Sequence, residues 1–250
     1  KEIIDYFARI LERKEYKVLF ALVAPFKFGK SSILLKLYDI AKDYSSVIPV
    51  LLRLNIIYDP IHTLIKALSK YTNTDFLAYL KHIDSGDLSL HELFGMIDDK
   101  LKDLGKWVIL FIDEFQYFAK LVKGEGFLKN YEDKYIFEFV RGITETYRFG
   151  LVVSGSIIGE LIDTIDLWHG RFTIFRPREF PREESVLMLK KLFRLSGFTI
   201  SDDIANYIAM ATYDHPFHMQ LFGYFLVDEG CVDSKCIEYA RKRLIDYLSD

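Results

Sequence analysis

Ala24-Pro25-Phe26-Lys27-Phe28-Gly29-Lys30-Ser31, with Ser32 after it, carries the strongest fold signal in the sequence. The apolar run Val18-Leu19-Phe20-Ala21-Leu22-Val23 precedes it, and the amphipathic run Ser32-Ile33-Leu34-Leu35-Lys36-Leu37-Tyr38 follows. Strand, short loop and helix is the setting of a phosphate-binding loop. Such a loop wraps backbone N–H groups around a phosphate chain, and the helix N-terminus adds partial positive charge. Lys30 stands where an ammonium reaches the β- and γ-phosphates, and Ser31 where a hydroxyl ligates Mg²⁺. Gly29 permits close approach of the backbone. Ala24 stands where the usual G-x-x-x-x-G-K-[ST] pattern has its first glycine.

Outward from this loop, Val18 to Val23 is too uniformly apolar for a half-exposed strand and reads as a buried strand of a parallel sheet. A helix is expected before it, over Lys1 to Arg13, and another after it, from Ser31 to about Lys42. Val47 to Leu54 reads as a second strand, with Pro49 placing it near an edge or a strand start. The stretch from Asn55 to Gly105 reads as helical pieces. One is opened by Pro60, another by the capping-box pattern Ser89-Leu90-His91-Glu92. His62, His82 and His91 stand alone and read as solvated surface.

Trp107-Val108-Ile109-Leu110-Phe111-Ile112 is the third strand, and it runs straight into Asp113-Glu114. Six apolar residues followed by two acids set both carboxylates at the carboxyl end of a central strand, where open α/β sheets bind ligands. Asp113 is the expected Mg²⁺ ligand, directly or through water. Glu114 is the expected base that orients and deprotonates an attacking water. A helix is expected over Tyr131 to Tyr147. A fourth strand, Gly150 to Val153, ends in Ser154-Gly155-Ser156, where a hydroxyl either meets the γ-phosphate or the attacking water, or simply makes a turn. Gly170-Arg171 precedes a fifth strand, Phe172 to Phe175. Pro177 and Pro181 then punctuate the chain, and helices follow over Glu183–Leu195, Ser201–Thr212, Pro216–Val227 and Val232–Leu248. The expected division is a core over 1–178 and a helical lid over 179–250.

Composition narrows the class. The 250 residues are half apolar and carry a formal net charge of −3, which gives no strong field toward nucleic acid or anionic lipid. No apolar run approaches a membrane span. The sequence starts at Lys1 with no visible signal peptide, so it reads as an excerpt of a longer protein, and a cytoplasmic location is expected. Cys231 and Cys236 lack a nearby histidine pair and so do not form a zinc site; they are expected to be a reduced pair. No Asn-Lys-x-Asp stretch is present to read guanine.

Taken together, the loop, Asp113-Glu114-Phe115-Gln116 and Ser154-Gly155-Ser156 make this chain resemble the archaeal ATPase family. That family lies within the AAA+/STAND P-loop ATPases, near the archaeal replication initiators. Pro25, Gly29, Lys30 and Ser31 match its loop, and Ala24 departs from it. Asp113, Glu114 and Gln116 match its Asp-Glu-x-Gln, Gly155-Ser156 its Gly-Ser, and Gly170-Arg171 its Gly-Arg. The lid stretch Tyr213-Asp214-His215-Pro216-Phe217-His218 keeps the family's proline and lacks its glycine. The resemblance implies an α/β fold: a five-stranded parallel sheet with helices on both faces, then a small helical lid. It implies ATP and Mg²⁺ as ligands, with Ser156 at the phosphates, Pro216 against the adenine and Arg171 as the transition-state arginine.

Three functions compete on this reading. One is an ATP-hydrolysing switch that answers to an unidentified protein partner. Another is a nucleotide-binding scaffold with little turnover, which Ala24 and the missing lid glycine would fit. The third is a DNA-associated ATPase like the replication initiators. Its basic candidates are Arg171, Arg176, Arg178, Arg182 and the run Arg241-Lys242-Arg243, and its DNA contact would come mostly through a further C-terminal domain.

Overall fold

Five stretches dominated by β-branched and large apolar residues form the strands β1 (Leu19–Val23), β2 (Val47–Arg53), β3 (Trp107–Asp113), β4 (Phe149–Gly155) and β5 (Thr173–Phe175). They make one parallel sheet in the order β2-β3-β4-β1-β5. The computed structural model describes residues 2–15, 17–54, 60–117, 142, 144–156 and 172–249, without the side chain of residue 84. The chain divides into two compact units. The first comprises Lys1–Pro25 and Lys30–Arg176, the second Phe26–Gly29 and Pro177–Asp250.

In the first unit the two-residue period of the strands sorts the core into two layers. Phe20, Leu22, Ile109, Phe111 and Val152 point to one face of the sheet. There they meet Phe7, Ile10 and Leu11 of α1 (Glu2–Glu12) and Leu34, Leu37 and Ala41 of α2 (Lys30–Lys42). Ala21, Val23, Val108, Leu110, Ile112, Leu151 and Val153 point to the other face. They meet Leu64, Ile65 and Leu68 of α3 (Pro60–Thr72) and Leu93, Phe94, Ile97 and Leu101 of α5 (Leu90–Asp103). The short α4 (Leu80–Asp84) lies between these two helices in sequence. Burial on both faces is why β3 reads as an unbroken apolar run rather than an alternation. Pro49, which lacks an N–H, is tolerated because β2 is an edge strand.

Local signals hold where the sequence carries them. Ser89 caps α5: its Oγ accepts from Glu92 N–H at 3.2 Å, and Glu92 Oε2 accepts from Ser89 N–H at 2.8 Å. His91 is not simply solvated, since its Nδ1 lies 2.8 Å from the hydroxyl of Tyr147, 56 residues further along the chain. The helix expected over 131–147 falls largely outside the described residues, as does the pair Gly170-Arg171.

The second unit has its own core. Leu189 and Phe193 of α6 (Arg182–Leu195), Ala205, Ile208 and Ala209 of α7 (Asp202–Ala211) and Met219, Phe222 and Leu226 of α8 (Pro216–Glu229) are buried together. Ala240 and Leu244 of α9 (Ser234–Ser249) join them. Arg182 closes the start of α6 onto Asp214, donating from Nε at 2.9 Å and from Nη2 at 2.7 Å. The expectation of a reduced cysteine pair is corrected here, because Cys231 and Cys236 form a disulfide. Gly230 ends α8 at φ +72°, a left-handed turn that costs glycine nothing, and the turn brings the two α carbons to 6.1 Å, within disulfide reach. Among the described residues no helix is long and apolar enough to cross a membrane.

Phe111 is fully buried, with its ring edge-on to those of Phe7 and Tyr38. Phe111→Ala should cost about 3–5 kcal/mol, the range for deleting a buried aromatic ring. Thermal and denaturant unfolding followed by near-UV signals of the first unit check this, and a cost below about 1 kcal/mol would contradict the packing described.

Candidate active site

Parallel strands place all their carboxyl ends at one edge of the sheet, and the chemistry-bearing residues of the first unit gather there. After β1 the backbone leaves the sheet at Ala24, whose N–H reaches Gly155 O at the end of β4 at 3.5 Å. Ala24 is buried in the position where the pattern has glycine. Gly29 takes φ +77°, which a side chain would strain. Lys30 then opens α2 with its side chain nearly buried, and Nζ donates to Pro25 O at 2.8 Å. Burial disfavours the Lys30 ammonium and lowers its proton affinity below the usual lysine value; the nearby Glu114 and Asp113 carboxylates work against this.

Asp113, the last residue of β3, is also buried. Its Oδ1 accepts from Ser31 Oγ at 3.0 Å, from Glu114 N–H at 3.2 Å and from Ser154 Oγ in a short contact. None of these three bonds falls on Oδ2. Ser154 sits on β4 with 1% of its surface exposed. The chain then turns at Glu114, which holds φ +60°, a left-handed conformation that costs a residue other than glycine on the order of 1–3 kcal/mol. Phe115 N–H donates to Ser154 O at 2.7 Å and Tyr117 N–H to Glu114 O at 3.0 Å. Gln116 Nε2 donates to Glu114 Oε2.

A hydroxyl and a carboxylate 3.0 Å apart are oxygen donors of the kind a hard cation takes, and they fit Mg²⁺. Among the described residues there is no group of three or more His, Cys, Asp and Glu residues placed to hold a metal. Mg²⁺ needs no such cage, because it keeps waters and draws further ligands from substrate phosphates.

Residues 26–29 pack within the second unit. Lys27, at φ +67°, lies with Nζ 4.0 Å from the centre of the Phe217 ring and 5.1 Å from that of Tyr247, whose hydroxyl it reaches at 3.4 Å. Phe28 packs edge-on against His215 at 4.3 Å, and His215 stacks on His218 at 4.0 Å. Phe26 is exposed. Pro216 is buried as the first residue of α8, behind the N-cap His215, whose ring nitrogen accepts from His218 N–H at 3.4 Å.

The structure therefore brings Lys30, Ser31, Asp113 and Glu114 to one sheet edge. Ser32 continues α2. Ser156 follows β4 directly and is half-buried. Arg171 lies outside the described residues. Sequence pattern leaves Ser154 open between ligand contact and turn; in the structure it is a buried partner of Asp113, and a hydroxyl at the end of an otherwise apolar strand is the signal for it. No local pattern points to Gln116 as the partner of Glu114.

A sheet in this order, with Gly-Lys-Ser after β1 and Asp-Glu after β3, is the fold of the P-loop nucleotide triphosphatases. Solved structures with the same fold include archaeal proteins. The Walker-type ATPase of Pyrococcus abyssi is 19% identical, with a TM-score of 0.65 over 97% of this chain and 71% of that one. The Aeropyrum pernix ORC2 protein, in ADPNP–ADP complexes, is 13% identical, with a TM-score of 0.62 over 97% and 68%. The Aeropyrum pernix ORC1 protein in complex with DNA is 14% identical, with a TM-score of 0.57 over 96% and 64%. At these identities the likeness is one of fold. No family model and no curated protein matches the sequence.

The stacked pair His215 and His218 of the second unit sits where its protonated form is disfavoured. Burial lowers the proton affinity of His215; His218 and Lys27 add to this, while Glu179 opposes it. Burial does the same to His218, with Lys27 adding to it. The unfolded chain thus takes up protons that the folded one refuses, so this stability is complete above pH 6.5 and is lost as pH falls below it. His215→Asn keeps a capping acceptor but removes one titrating ring. Its melting temperature should fall less steeply than the wild type's below pH 6.5. Equal slopes would exclude His215 as a contributor.

Proposed function

We propose that this chain is a Mg²⁺-dependent ATPase whose hydrolysis step works a nucleotide-dependent switch. The observation that supports it most is the convergence of Lys30, Ser31, Asp113 and Glu114, with Ser31 Oγ 3.0 Å from the Asp113 carboxylate. Lys30 exchanges its bond to Pro25 O for the β- and γ-phosphate oxygens. Phe26 to Ser32, Gly29 among them, supply backbone N–H groups to the phosphates, Ala24 and Pro25 lead the chain into that loop, and Ser156 lies beside them. Asp113, directly or through water, and Ser31 would hold Mg²⁺, which when bound neutralises charge on those oxygens. Glu114 accepts the proton as water oxygen attacks the γ-phosphorus and the bond to the β–γ bridging oxygen breaks. Arg171 is the proposed transition-state cation on its sequence match alone. Pro216 is the proposed adenine contact.

A DNA-associated ATPase is the second reading, favoured by the likeness to an ORC1 protein solved with DNA. Two of its basic candidates are already engaged: Arg182 with Asp214, and Arg243 with Asp228 and over the Phe225 ring. A scaffold with little turnover is the third.

Calorimetric titration with Mg-ATP separates binding from chemistry. Lys30→Ala should lose charge-assisted hydrogen bonds worth about 1.5–3 kcal/mol each. Glu114→Gln should bind as the wild type does and turn over roughly 10²–10⁴-fold more slowly. Unchanged affinity in the first variant, or unchanged turnover in the second, would remove the corresponding assignment.

The switch itself is tested by hydrogen exchange over residues 216–227. A γ-phosphate-dependent switch should protect this helix more with a non-hydrolysable ATP analogue than with ADP, because a ligand shifts a conformational equilibrium only by its differential affinity. Identical protection by both nucleotides favours the scaffold.

A further inference from the structure

Glu114 is fixed on every side by its backbone. Its N–H donates to Asp113 Oδ1 at 3.2 Å, its carbonyl accepts from Tyr117 N–H at 3.0 Å, and the next N–H, that of Phe115, donates to Ser154 O at 2.7 Å. Phe115 is itself fully buried, so this turn is pinned to the core. What remains free is the half-exposed Glu114 side chain, with its rotatable bonds and two equivalent oxygens. Gln116 supplies the missing restraint, since its Nε2 donates to Glu114 Oε2.

Gln116 is an odd occupant for its position on packing grounds. Only 7% of its surface is exposed, and its Oε1 has no hydrogen-bond partner among the described residues. A buried amide oxygen left unpaired is a net cost, which an apolar side chain of the same length would avoid. The position therefore retains an amide that packing alone does not call for, and the bond this amide does make is the one to Glu114.

We propose that Gln116 is the positioning residue of Glu114. It donates one N–H to one carboxylate oxygen, locks the side-chain rotamer, and leaves the other oxygen to meet the attacking water. This rests on the hydrolytic reading above. A residue that only orients the base acts on the rate of the chemical step and not on nucleotide affinity, because the phosphates are held by other groups.

The test uses Gln116→Leu and Gln116→Met, two variants of similar length that cannot donate. Both should lower kcat for ATP by roughly 10–100-fold while leaving KM and the affinity for a non-hydrolysable ATP analogue unchanged. Both should melt no lower than the wild type, because the unpaired oxygen is gone. A purely structural glutamine would instead lower the melting temperature and change affinity and rate together. An unchanged or raised kcat in a folded variant overturns the proposal.

A second readout needs no turnover. In side-chain amide NMR, the Gln116 pair is the signal that disappears in Gln116→Leu. One of its protons should be displaced downfield by the carboxylate and should return in Glu114→Ala. A signal that does not move in Glu114→Ala means that the pair does not exist in solution, and the proposal falls. A wild-type chain that shows the displaced proton yet hydrolyses no ATP keeps the pair and removes the hydrolytic reading beneath it.

Discussion

A sheet buried on both faces can present polar chemistry only at its ends. In the first unit helices cover each face, and β3 and β4 are buried along their whole length. The peptide groups inside are satisfied by parallel ladders, and side chains there contribute packing alone. Polar side chains are admitted where the strands stop, and because all five strands run the same way they stop together. Asp113 at the end of β3, Ser154 near the end of β4, and the loop leaving β1 become neighbours for that reason, although they are far apart in the chain. The site is a consequence of the covering of the sheet.

Within that edge, satisfaction of one buried carboxylate organises the rest. A carboxyl group buried as Asp113 is needs hydrogen-bond partners, since a buried polar group left unpaired costs more than a hydrogen bond returns. Three donors meet it, from α2, from β4 and from its own turn. Each of them therefore fixes a different element. Ser31 fixes the start of the helix that follows the loop, Ser154 fixes the neighbouring strand, and the Glu114 N–H fixes the left-handed turn that presents the second acid. The strain at Glu114 is offset by this network, a pattern typical of functional edges rather than of surface loops.

The loop tip shows the same economy with different groups. Lys27 carries a charge that aromatic faces can hold without a counter-ion, and Phe217 and Tyr247 provide those faces. Phe28 and the His215–His218 stack extend this cluster. One cation of the loop is thus engaged by rings and the other, Lys30, by a backbone carbonyl.

Much of this was legible in the sequence, because it is written in local periods. The continuous apolar run of Trp107 to Ile112 announced a doubly buried parallel strand, Gly29-Lys30-Ser31 the loop, and Ser89 with Glu92 the cap, since each depends on neighbours within a few residues. Local pattern is enough for the class of fold, for the order of the five strands along the chain and for Lys30, Ser31, Asp113 and Glu114 at strand ends and helix starts. Tertiary structure alone decided which strands are neighbours, and hence that Ser154 reports to Asp113. It also decided that Gln116 turns back to Glu114, that His91 pairs with Tyr147, and that Cys231 and Cys236 are bonded. The physical reason is the same in each case. Hydrogen bonds and disulfides are set by distances of a few ångströms and by the direction of a side chain, and those are settled only when left-handed turns such as Glu114 and Gly230 close and the sheet is packed.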